Sequence, residues 1–118
     1  MPKYLSIAKY NTQGVHGLLE DGGTGRRAAV EKAVKSLGGK LEAFYFAFGE
    51  ADAYVLHEAP DNVSVAALAL AVASTGSVSI TTTVLITPEE MDQAIHKQVG
   101  YRGPGEKGKG EKGKKGKK

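Results

Sequence analysis

Few side chains in this sequence have the means to do chemistry. His57 and Glu58 are adjacent, His16 and His96 lie far from them and from each other, Asp52 follows Gly49-Glu50-Ala51, and Tyr4, Ser6 and Tyr45 carry hydroxyls. Imidazole titrates near neutral pH and ligates metals, which makes His57 the candidate general base or ligand. Consecutive strand residues point to opposite faces, so His57 and Glu58 cannot form a tight pair. His16 and His96 have no second ligand three or four residues away, and the chain has no cysteine. No metal site, no cofactor and no catalytic residue are therefore predicted.

The elements that must position these residues follow from periodicity. Lys3 to Tyr10 alternates as a half-buried strand does, with Leu5 and Ile7 on one side and Tyr4, Ser6, Ala8 and Tyr10 on the other. Asn11 or Thr12 caps a helical turn carrying Val15, Leu18 and Leu19, which Gly22, Gly23 and Gly25 interrupt. That glycine cluster precedes Arg26-Arg27 but lacks the Gly-Lys-Ser/Thr of a phosphate-binding loop, so it reads as a hinge. Val30, Ala33, Val34 and Leu37 then form one buried helical stripe ending at Gly38-Gly39.

Two further strands, Lys40 to Phe48 and Asp52 to Ala59, are separated only by Gly49-Glu50-Ala51 and must form an antiparallel hairpin. Gly49 is expected to supply a positive φ there, and Asp52 to accept backbone N–H bonds at the turn. Pro60-Asp61-Asn62 leads into an alanine-rich helix that Gly76 closes, and Ser77 to Ile86 is a β-branched fourth strand. Thr87-Pro88-Glu89-Glu90 is a complete capping box for a short last helix. The order β-α-β-β-α-β plus a helix predicts an α+β, ferredoxin-like domain with a four-stranded antiparallel sheet over residues 1–101.

Two helices can cover one face of such a sheet. The other face is read as Tyr4, Ser6, Ala8 and Tyr10 with Tyr45, too aromatic to remain a broad patch in water. A second copy of the chain would cover it, giving a dimeric α/β barrel. Tyr4, Ser6, Tyr45 and Glu58 would then line a cavity between subunits, joined by His57 if the third strand turns it toward the barrel. His57 is in phase with Ala53, Val55 and Ala59, which reads instead as a buried, hydrogen-bonded histidine against the helices.

The charge is divided. Residues 102–118, Gly/Lys-rich, hold eight Lys or Arg against two Glu, a net +6, whereas residues 1–101 hold eight basic and eleven acidic residues, a net −3. This tail reads as disordered, with Arg102, Lys107, Lys109, Lys112, Lys114, Lys115, Lys117 and Lys118 able to contact RNA, DNA or another polyanion. The longest apolar stretch, Val63 to Ala73, is too short for a membrane span, and the N-terminus goes straight into a strand pattern. A cytoplasmic protein is expected.

Taken together, "MPKYLSIAKY", "RRAAVEKAVKSLGGKLEAFYFAFGEAD", "APDN" and "TTTVLITPEEM" make the chain resemble the GYD-domain proteins, small bacterial and archaeal chains named after a Gly-Tyr-Asp motif. The resemblance covers roughly residues 1–95 and departs at the motif, where Ala51 stands in place of the tyrosine between Gly49 and Asp52. It implies the dimeric α/β barrel architecture and names no activity. Three functions are carried forward: a module binding a small ligand or partner in the inter-subunit barrel, an oxygenase-like enzyme that is cofactor-independent or uses haem on His57, and polyanion association through the tail. The second rests on fold analogy, which transfers architecture better than activity.

Overall fold

The structure, a computed structural model, describes residues 1–106. Among the described residues, Met1–Leu85 form one compact unit and residues 86–106 belong to a second. The first contains β1 (Lys3–Tyr10), α1 (Thr12–Ser36), β2 (Lys40–Phe46), β3 (Ala53–Glu58), α2 (Asn62–Ser74) and β4 (Val78–Leu85); the second contains α3 (Pro88–Ile95). The strands pair in the order β2-β3-β1-β4, every neighbour antiparallel, which is the split βαβ arrangement of a ferredoxin-like fold.

Local chemistry explains where the elements start and stop. The Asn11 side chain accepts the Gly14 N–H at 2.9 Å and Asp61 accepts that of Ser64 at 2.8 Å, each satisfying a donor that the first helical turn cannot. Thr87 and Glu90 exchange hydrogen bonds in a full capping box at the start of α3. Gly38 (φ 81°) follows the end of α1, and a side chain at Gly39 would strike the Glu58 carbonyl, so the glycine pair lets the chain turn tightly against β3. The glycine cluster within α1 produces a single break at Gly22 (φ 77°, ψ 166°), after which the helix resumes.

The faces of the sheet differ from the expectation in one respect. Tyr4, Ser6 and Ala8 are buried, and with Val55, His57, Val78 and Ile80 they look toward α1 and α2. Tyr4 pairs with His57 and Ser6 with Val55, so β1 and β3 present these residues on one side. The face turned away from α1 and α2 instead carries Leu5 and Ile7 of β1, Tyr54 and Leu56 of β3 and Tyr45 of β2, together with Thr81 and Thr83 of β4. The physical reason is that small residues at positions 6 and 8 leave room for the helices, while the Tyr4 hydroxyl reaches Asn62 Oδ1 at 2.6 Å at the start of α2.

Among the described residues no helix is long and apolar enough to cross a membrane.

Candidate functional site

Between α1, α2 and the sheet lies a cleft of about 130 Å³. Strand alternation brings Ser6, Ala8 and Tyr10 from β1 and Ala53, Val55 and His57 from β3 to its floor, and the helical period supplies Val30, Ala33 and Val34 from α1 and Leu68 and Val72 from α2. Only Ser6, Tyr10, Arg26 and His57 among the lining residues carry polar side-chain atoms. A mostly apolar hollow with a few converging polar groups is the ordinary form of a small-molecule site.

His57 is the centre of its polar part. It is 1% exposed, its Nε2 lies 2.9 Å from Ser6 Oγ, and Ser6 Oγ lies 3.3 Å from Thr82 Oγ1. Tyr4 stacks on the imidazole, ring centres 5.8 Å apart and planes inclined by 26°. The other ring nitrogen, Nδ1, is buried without a hydrogen-bond partner. Burial lowers the His57 pKa from its ordinary value, because the cation loses its hydration, and the ring is neutral at physiological pH. A neutral imidazole has one donor and one acceptor nitrogen, so whichever role Nδ1 has is unfulfilled.

The Ser6–His57 contact has the dimensions of a nucleophile–base pair. Such a pair works when a third group orients the base through its other nitrogen, and Nδ1 has no such group. The arrangement therefore holds a hydrogen bond in an apolar cleft and lacks the rest of a nucleophilic triad. Among the described residues no cluster of three or more His, Asp or Glu is placed to hold a metal.

The profile of the GYD domain family matches residues 4–95. The chain belongs to the GYD domain family. No curated protein and no solved structure matches it. In this GYD domain Ala51, the residue before Asp52, is 4% exposed. The Asp52 carbonyl accepts the Ala47 N–H at 2.8 Å across the turn, while its carboxylate accepts the Tyr10 N–H at 2.7 Å and its own N–H donates to the Ala8 carbonyl at 2.8 Å, tying the β2–β3 hairpin to the end of β1. The expected positive φ at Gly49 is absent, since positive φ among the described residues falls on Gly22, Gly38, Gly76 and Gly105.

The five residues expected to line one cavity are divided between the two faces. Tyr4, Ser6 and His57 cluster under the helices, whereas Tyr45 and Glu58 do not line the cleft. Tyr45 is 70% exposed, and Glu58 pairs with Lys3 at 2.9 Å, the same ammonium also meeting Glu42 at 2.7 Å. Hydrogen bonding to Glu42 and to Glu58 raises the Lys3 pKa above its ordinary value. Arg102 hydrogen-bonds the Glu106 carbonyl. Lys107, Lys109, Lys112, Lys114, Lys115, Lys117 and Lys118 lie outside the described residues.

Sequence reasoning missed Thr82 and Arg26 as parts of this site. Thr82 sits in a run of three threonines whose members differ only in phase, and Arg26 is one of two successive arginines.

Proposed function

We propose that this GYD domain is a binding module for a small, mostly apolar molecule carrying one hydroxyl group, held in the cleft between helices and sheet. The observation that carries this reading is His57, which lines an apolar hollow and whose buried Nδ1 has no partner among the described residues. A buried polar atom without a partner costs about 1–3 kcal/mol, so a ligand that supplies one gains that much affinity. A hydroxyl suits either tautomer, since its O–H donates and its oxygen accepts. An apolar cavity of about 150 Å³ takes up benzene, so a cleft of about 130 Å³ is sized for no more than a single ring.

Phenol is the probe. Titration followed by amide NMR should give saturable shifts at Ser6, Val34 and Val55, and His57→Phe, which keeps a ring but no nitrogen, should weaken binding roughly tenfold. Shifts that fail to saturate, or that are scattered over the surface, would remove the reading.

Two features support a wider assembly. The face of Leu5, Ile7, Tyr45, Tyr54 and Leu56, turned away from α1 and α2, supports a dimeric α/β barrel in which a second copy packs on it. The net +6 of residues 102–118 supports a salt-sensitive polyanion contact, which a chain ending at Tyr101 should lose.

A further inference from the structure

Arg26 is the one cation among the residues lining the cleft, and nothing in the binding of a phenol uses it. Its side chain is 30% exposed, and it lines both this cleft and the neighbouring hollow that holds Asp21. Its ion pair, Nη1 to Asp21 Oδ2, is 3.4 Å long, beyond the usual span of a charge-assisted hydrogen bond. A guanidinium has five N–H donors in a planar fork that suits a carboxylate in two parallel bonds. Asp21 reaches it from across the Gly22 break, five residues back, so the pair bridges two helical segments that are joined by a residue in glycine-only backbone geometry.

We propose that Arg26 recognises a carboxylate, and that the ligand is a small hydroxy acid with its hydroxyl at His57 and its carboxylate at the mouth of the cleft. This inference rests on the cleft being a binding site and adds the charge of what binds there. Asp21 then acts as a placeholder: it keeps the guanidinium company when the cleft is empty and is exchanged for the ligand's carboxylate, which meets the fork face-on. The apolar walls between the two polar ends admit a ring or a short hydrocarbon and reject a second internal charge, because a buried charge without a partner is costly.

Isothermal titration of the full chain with 4-hydroxybenzoate, its neutral methyl ester and phenol tests the proposal. The ester keeps the ring and hydroxyl and removes only the charge. The acid should bind at least roughly tenfold tighter than the ester, and Arg26→Gln should bring the ratio of the two affinities to about one. Arg26→Lys should restore only part of it, since an ammonium is a point charge and not a fork. Equal affinity for acid and ester overturns the proposal while the cleft reading stands on phenol. A preference that survives Arg26→Gln also overturns it, because another cation is then responsible. If neither phenol nor the acid binds, the cleft reading falls and this inference with it.

Discussion

Ser6 Oγ and His57 Nε2 meet at 2.9 Å although the two residues are not register partners. Tyr4 is the residue opposite His57, and Ser6 is opposite Val55. The contact is therefore diagonal across the β1–β3 ladder, and the partner directly opposite is free to stack on the imidazole. One ring face and one nitrogen are thereby fixed by the sheet, and Nδ1 is buried without a hydrogen-bond partner among the described residues.

Acid should destabilise the protein through this histidine. Burial lowers the folded-state pKa of His57 from 6.5, so as pH falls below that value the unfolded chain takes up a proton that the folded chain refuses. The unfolded state then binds more protons, and stability drops with decreasing pH. Thermal melts at about pH 7.5 and about pH 5.5 should show wild type losing more Tm than His57→Phe. Equal losses would place the acid sensitivity in other groups.

Asp52 should behave as a structural tie. Asp52→Ala removes the acceptor for the Tyr10 N–H, a bond made to a charged group, and should cost about 1–2 kcal/mol in urea unfolding. Asp52→Asn keeps an acceptor oxygen and should recover part of that loss. Phenol affinity should be the same in both variants, since Asp52 does not line the cleft; a large change would give the motif aspartate a binding role.

The break in α1 makes two glycines respond in opposite directions. Gly22 has φ 77° and ψ 166°, and a Cβ there meets nothing within 4 Å, so Gly22→Ala should lose about 1–3 kcal/mol from backbone strain alone. Gly17 also has open space but no positive φ, and Gly17→Ala should gain about 0.5–1 kcal/mol, as a helical glycine with room for a methyl group does. Urea melts of the pair decide it: a gain in both would mean that the break relaxes at no cost.

The elements were legible because each carries its own signal: alternation in Lys3–Tyr10, the stripe of Val30, Ala33, Val34 and Leu37, and the Thr87 capping box all have structural counterparts. Facing was less legible. Alternation divides β1 into two sets without saying which is inward, and hydropathy alone gives no decision between Leu5 with Ile7 and Tyr4 with Ala8. The decision comes from the register Tyr4↔His57, a contact between residues 53 positions apart that no local window contains. The cleft depended on the same missing information, since Arg26 lines it and Thr82 meets Ser6 from elements remote in sequence from His57.

The corrected facing changes which residues a partner copy would meet. Ile7 lies opposite Tyr54 on β3 and Thr81 on β4, at the middle of the sheet face turned away from α1 and α2, and Tyr45 lies opposite Tyr54 on β2. An ammonium at the centre of a packed sheet interface is desolvated without a partner, whereas on a free surface the same group is fully hydrated. Ile7→Lys should therefore convert a two-chain species to a single chain in sedimentation equilibrium, with the circular dichroism of the folded domain retained. Tyr4→Phe, placed under the helices, should leave the assembly unchanged. Wild type that sediments as a single chain at all concentrations would mean that the aromatic face is not covered by a second copy, and dissociation by Tyr4→Phe as readily as by Ile7→Lys would tie assembly to overall stability and not to this face.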